Sequence, residues 1–188
     1  MLTAVDIARR LADALEEARI EYAIGGAIAL GYYANPRATV DVDVNIFVPP
    51  RDGLPAVLNV LGRIGFVADN PATVAQTAAD DGQFRGRIEG IRVDVFMPAI
   101  EYYASLTDRK REVRLLGKPI HVLGPEDLIT LKMMFFRRKD LADVEAVLRG
   151  GEPLDLARVR KTLVEFVGES DERLREWDVL VQETNRSI

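Results

Sequence analysis

One stretch limits the folds open to this chain: Tyr22 to Val48, YAIGGAIALGYYANPRATVDVDVNIFV. It reads as a short strand, a glycine turn, a compact helix over Ala27 to Ala34, a loop closed by Asn35-Pro36, and a long alternating strand. In that last piece Val40, Val42, Val44, Ile46 and Val48 alternate with Thr39, Asp41, Asp43, Asn45 and Phe47. A period of two puts the aliphatic set on one sheet face and Asp41, Asp43 and Asn45 on the other. The segment therefore demands a sheet with one covered face, bounded by Pro49-Pro50, which cannot sit in a sheet interior.

Two carboxylates at i and i+2 lie roughly 7 Å apart at the backbone. Their side chains can converge on hard cations about 3.5–4 Å apart, the spacing of two-metal phosphoryl chemistry. Mg²⁺ is held by one or two carboxylates plus substrate phosphates, so such a site need not be rich in ligands. A bare D-x-D also suits a half-exposed strand with two solvated acids. The upstream Gly25-Gly26 favours chemistry, because glycines between a strand and a helix let backbone N–H groups approach a phosphate closely. Together the two features suggest a nucleoside triphosphate.

Gly25-Gly26 followed by Arg37-Ala-Thr39-Val-Asp41-Val-Asp43 resembles the G-[GS]…D-x-D signature of the DNA polymerase β-like nucleotidyltransferase superfamily. The R-x-T-x-D-x-D form is most similar to its AbiEii-type branch, which includes the MenT-type toxins that add nucleotides to tRNA. That resemblance implies a third carboxylate on a later strand, and Asp94 in Ile91-Arg92-Val93-Asp94-Val95-Phe96 supplies a match. Lys132 and the run Arg137-Arg138-Lys139-Asp140-Leu-Ala-Asp143 resemble the branch's K…R-x-K-D-x-x-D segment. The likeness spans roughly residues 20 to 148.

By this resemblance Asp41, Asp43 and Asp94 would hold Mg²⁺, as a two-ion site, against the triphosphate of an NTP. Gly25 and Gly26 would cradle phosphate, Lys132 would meet a phosphate as a point charge, and Arg37, Thr39 and Asp143 would complete the nucleotide site. Arg37 equally suits a loop brace, Lys132 a lysine beside a core helix stripe, and Asp140 a helix cap. The implied reaction moves NMP from an NTP, a pyrimidine NTP by preference, to an RNA 3′ end, with tRNA as acceptor and an antitoxin protein as partner. Phosphorylation of Thr39 would bring about −1.5 to −2 charge beside the carboxylates and oppose NTP binding. The sequence departs from the branch in having Gly26 where serine is frequent. A second enzymatic reading is AMP transfer to a small cationic acceptor such as an aminoglycoside. A third is a non-catalytic binding module.

Composition bounds these readings. A chain of 188 residues with 48% hydrophobic content can bury a core. It has no cysteine and one histidine, His121, which excludes a thiolate or multi-histidine zinc site. His121 lies in the strand-like Pro119-Ile-His-Val-Leu123 and reads as structural. The net charge of −5 argues against nonspecific coating of nucleic acid. Basic residues still cluster at Arg109 to Lys118 and at Arg137 to Lys139. No apolar run approaches 18 residues and no signal peptide is evident, so a cytoplasmic protein is expected.

Elsewhere Thr3 reads as the cap of an amphipathic helix, Pro55 as the start of another, and Asn70-Pro71 as the start of a third. Glu89-Gly90 and Gly117-Lys118 read as hairpin turns. Gly124-Pro125-Glu126-Asp127 opens a helix, and Leu156 to Val167 and Asp171 to Thr184 read as two more. The non-alternating order of strands and helices favours α+β, a mixed sheet flanked by helices. The expected division is a nucleotidyltransferase core over 1–123 and an α-helical C-terminal region over 124–188.

Overall fold

The computed structural model describes residues 2–184. The chain divides into two compact units: residues 2–28 with 38–123, and residues 29–37 with 124–184.

The first unit is built on a seven-stranded mixed sheet ordered β3-β4-β5-β2-β1-β7-β6. The strands are β1 (Tyr22–Ile24), β2 (Asp41–Ile46), β3 (Val67–Ala68), β4 (Gln83–Ile88), β5 (Ile91–Phe96), β6 (Arg111–Leu115) and β7 (Lys118–Val122). β2 lies at the centre, antiparallel to β1 and parallel to β5. Its Val42, Val44 and Ile46 are fully buried, as are Val93 and Val95 of β5. The alternation ends sooner than the sequence suggests: Val40 stands outside the strand and is 81% exposed.

Helix α1 (Ala4–Glu17) covers this apolar face with Ile7, Ala8, Leu11 and Leu15. Thr3 caps it: its hydroxyl accepts from Asp6 N–H at 3.2 Å, while the Asp6 carboxylate accepts from Thr3 N–H at 2.8 Å. Burying each of Ile7, Leu11 and Leu15 is worth about 1.5–3 kcal/mol. Helix α3 (Pro50–Arg63) begins five residues before Pro55, because Pro50 can occupy the first turn where an N–H is not needed. Pro55 then lies inside the helix. Residues 71–73 form a turn, and helix α4 (Val74–Asp80) starts after it rather than at Pro71. The hairpin turns carry left-handed pairs, Glu89 with Gly90 and Leu116 with Gly117, the geometry that matches strand twist. The short helix α5 (Glu101–Ser105) precedes β6. His121 of β7 sets its ring edge against Tyr22, centroids 5.8 Å apart, consistent with a packing role.

In the second unit α6 (Pro125–Phe135), α7 (Arg138–Arg149), α8 (Leu156–Val167) and α9 (Glu172–Glu183) pack around the fully buried Trp177. Left-handed Phe136 ends α6, so α7 is a new helix. Its N-terminus is capped by Asp140, which accepts from Arg137 N–H at 3.2 Å. The short α2 (Gly26–Leu30) bridges the two units in sequence, and residues 29–37 belong with the C-terminal helices. Among the described residues no helix is long and apolar enough to cross a membrane.

Candidate active site

The pairing of β2 with β5 assembles the carboxylates. Its register sets Asp43 beside Asp94 and Asp41 beside Arg92. β4 then adds Arg85 beside Asp94 and Arg87 beside Arg92. Side chains in one row of a sheet share a face, so the acids and these arginines stand together on the face opposite the aliphatic core. Asn45 continues the row of acids; its amide donates to Ala23 C=O at 3.3 Å and is buried.

The glycine pair serves this face directly. Gly25 N–H donates to Asp43 C=O at 2.8 Å. Gly26 has φ +55°, and a Cβ there would fall 1.7 Å from Asp43 Oδ2. Glycine at 26 is thus required both by the backbone and by the Asp43 carboxylate lying over it. The sequence suggested the phosphate-approach role but not this second one.

Arginines engage the two outer acids. Arg92 Nη2 donates to Asp41 Oδ2, and its Nε stands 3.2 Å from Asp94 Oδ2. Arg85 Nε donates to the other oxygen, Asp94 Oδ1. Thr39 Oγ1 donates to Asp41 Oδ1 at 2.7 Å, which fixes the carboxylate from the loop side. Arg85 and Arg92 were not singled out from sequence. The alternation in Gln83–Ile88 and Ile91–Phe96 does set them on the same parity as Asp94, but the pairing of β5 with β2 spans 51 residues between Asp41 and Arg92.

Among the described residues no ready cage of three or more metal-binding side chains is gathered. The donor chemistry nonetheless fits a hard divalent cation. All the donors are carboxylate oxygens, as Mg²⁺ prefers. One cationic side chain, Arg92, already bridges Asp41 and Asp94, standing where positive charge is shared between them.

A hollow of about 250 Å³ opens beside Asp94. Asp69, Asp81, Thr73, Thr77 and Gln83 line it together with Arg85. Asp69 is also ion-paired with Arg87 at 3.7 Å.

The remaining predicted residues lie in the second unit, where they form a charged centre of their own. Lys132 Nζ donates to Asp143 Oδ2 at 2.6 Å and stands 3.8 Å from Asp140. Arg37 grips Asp143 through Nε and Nη2 at 3.0 and 2.9 Å. Lys132, Asp140 and Asp143 are all buried. Burial pushes the Asp143 carboxyl up, but the hydrogen bonds from Arg37 and Lys132 outweigh it and hold the group below the usual carboxylate range. A phosphate contact by Lys132 would therefore have to compete with Asp143 for its charge.

Solved structures of similar fold include the solution structure of the antibiotic-resistance factor ANT(2'')-Ia. It superposes with a TM-score of 0.64 at 14% identity, over 97% of this chain and 97% of that one. The chain has the nucleotidyltransferase fold. The fold also relates it to an antigenic nucleotidyltransferase-like protein from Paracoccidioides brasiliensis, with a TM-score of 0.56, 19% identity and coverage of 92% and 93%. A putative nucleotidyltransferase from Thermotoga maritima aligns with a TM-score of 0.50, 15% identity and coverage of 72% and 86%. At these identities the likeness speaks for the nucleotidyltransferase fold alone. No protein-family model matches the chain, and no curated protein matches it in sequence.

Proposed function

We propose that this chain is a Mg²⁺-dependent nucleotidyltransferase that moves NMP from an NTP to an acceptor hydroxyl. The observation that carries the reading is the Asp43–Asp94 row beside Gly26, with Asp41 in the next row. Asp41, Asp43 and Asp94 would hold the divalent ions, which neutralise triphosphate charge and stabilise the entering and leaving oxygens. Gly25 and Gly26 would present backbone to a phosphate next to Asp43. Thr39 keeps Asp41 oriented through its 2.7 Å hydrogen bond. A phosphate on Thr39 would remove that donor and add like charge, which would oppose NTP binding. Asp94 would orient the acceptor hydroxyl or receive its proton.

Two acceptors are supported by different features. The likeness of Arg37-Ala-Thr39-Val-Asp41-Val-Asp43 and of Arg137 to Asp143 to AbiEii-type toxins supports an RNA 3′ end, with tRNA as acceptor, a pyrimidine NTP as donor and an antitoxin as partner. The acid-lined hollow beside Asp94 supports a small amine-bearing polyol instead, since carboxylates attract a cation and repel a phosphate backbone. The neighbour ANT(2'')-Ia is itself described with adenylyl-2''-tobramycin in a second structure. One incubation of labelled NTPs with Mg²⁺, total tRNA and a panel of aminoglycosides separates the readings. Label on RNA supports the first and label on drug the second. Label on neither, under conditions where the protein is folded, supports the non-catalytic module.

A further inference from the structure

Arg85 and Arg92 are the part of the carboxylate face that the proposed reaction leaves without work. Their positions are not those of ordinary surface charges. Each comes from a strand row shared with the acids, and between them they engage both oxygens of Asp94 and one of Asp41. Arg87, one row from Arg85 on β4, pairs instead with Asp69.

The grip is incomplete. Arg92 Nε is buried and has no aligned acceptor, although Asp94 Oδ2 is 3.2 Å away. A buried donor without a hydrogen bond is costly, and a purely structural brace would satisfy it. The guanidiniums reach water. The Arg85 side chain is 55% exposed and that of Arg92 37%, against 11% and 21% for the Asp94 and Asp41 side chains they hold, so each arginine can leave its acid for solvent. Both guanidiniums can be displaced without breaking the core, because Val93 and Val95 of β5 and Phe84 and Ile88 of β4 hold the opposite face.

We propose that Arg85 and Arg92 are exchangeable counter-cations, which occupy the carboxylates until a divalent ion arrives and then turn their guanidiniums to the phosphate oxygens of the nucleotide. The inference rests on the reading of Asp41, Asp43 and Asp94 as ion ligands. Charge makes the exchange reasonable. With Arg87 taken up by Asp69, Asp41, Asp43 and Asp94 stand against Arg85 and Arg92, so the guanidiniums already offset most of the charge that would draw a cation. An NTP brings both a use for the displaced guanidiniums and extra negative charge. The planar fork of arginine matches phosphate oxygens two at a time, which a lysine cannot do. The consequence is ordered loading: a divalent ion alone binds poorly, and ion with nucleotide binds well.

The test uses the full chain and two binding measurements that need no turnover. Free Mn²⁺ is followed by electron paramagnetic resonance without nucleotide, and α,β-methylene-CTP binding is followed by calorimetry with Mn²⁺ present. Arg92→Gln removes a competitor, so Mn²⁺ alone should bind about five- to tenfold more tightly, the scale of losing two partly exposed pairs. The nucleotide analogue should bind at least about fivefold more weakly. Arg85→Gln should shift both in the same directions, and Arg87→Gln neither. Arg92→Lys keeps the charge and guards against misfolding. It should leave Mn²⁺ binding near wild type and still weaken the analogue. Unchanged or weaker Mn²⁺ binding in folded Arg92→Gln and Arg85→Gln overturns the exchange. Tighter Mn²⁺ with undiminished analogue binding overturns the hand-over to phosphate. Mn²⁺ that, with the analogue present, binds wild type and Asp43→Asn alike, or binds neither, overturns the ion-ligand reading itself and this inference with it.

Discussion

Asp43 is the residue on which the proposed chemistry turns, and its surroundings make it sensitive from two sides. Its carboxylate lies against Gly26 and in the same row as Asp94. Asp43→Asn keeps the shape and removes the charge, so transfer to any acceptor should fall at least about 100-fold, the scale of losing one group that stabilises the transition state. The melting temperature should move by only a few degrees, and labelled-product assays beside a thermal melt read both. Gly26→Ala should do the opposite in part. A Cβ would collide with Asp43 Oδ2, and φ +55° costs a non-glycine residue about 1–2 kcal/mol. Stability and activity should both drop, and a Gly26→Ala protein with normal turnover would show that the Asp43 carboxylate does not need its present position. At this scale the acids were legible in sequence because strand parity is local: Asp41 and Asp43 declare their shared face within three residues. Arg85 and Arg92 were not, since their partners are set by which strands lie next to one another. Gly26 was legible as glycine but for only part of its reason.

Elements tell a similar story with a different cause of error. Turns and caps were readable where chemistry is local, as at Thr3 with Asp6 or at the Glu89-Gly90 hairpin. The helix start at Pro55 was misjudged, because proline suits a first turn and the sequence offered Pro49, Pro50 and Pro55 in succession, whereas Pro125 opens α6 as read. The α6–α7 pairing carries a prediction of its own. Lys132 of α6 and Asp143 of α7 are buried together, with Arg37 completing the set. Asp143→Asn removes the carboxylate that Arg37 grips and leaves Lys132 only the more distant Asp140, at 3.8 Å, and breaking a buried pair in this way costs about 3 kcal/mol near neutral pH. The sign of the pH dependence follows from the lowered folded-state value of Asp143. Its stabilisation is fully present above the unfolded value of about 3.9 and is lost as pH falls through the lower folded one. Denaturant melts of wild type and Asp143→Asn should therefore differ most between pH 5 and 7 and converge below pH 4. A gap that stayed constant down to pH 3 would mean that the Asp143 charge adds nothing to the pairing.

For the molecule as a whole, composition and element order sufficed for an α+β fold, and the nucleotidyltransferase fold was expected from the resemblance carried by the glycines and acids. The path of the chain between its two units was not legible. A sequence boundary near 123 is natural, because Gly124-Pro125 opens α6, yet residues 29–37 belong with the helices that follow it. No local signal marks this. The segment is apolar and compact whichever unit it joins, and what assigns it is long-range contact: Arg37 on Asp143, and Gly150, where a Cβ would fall 2.1 Å from Tyr33 C=O. A chain cut after residue 123 would therefore keep every strand of the sheet and lose the surface on which residues 29–37 rest. Tyr33, Leu30 and Ala29, all buried in the full chain, would meet water. Exposing them forfeits several kcal/mol at about 25 cal/mol per Å² of apolar surface, a large share of the 5–15 kcal/mol that holds a domain of this size together. The cut chain should retain far-UV circular dichroism typical of a mixed sheet, bind a hydrophobic dye and give poorly dispersed amide spectra. Replacing Ala29 to Arg37 in the cut chain by a glycine–serine linker of equal length should remove the dye binding. If the cut chain is instead well dispersed without that replacement, the contacts of residues 29–37 with the C-terminal helices have no energetic weight.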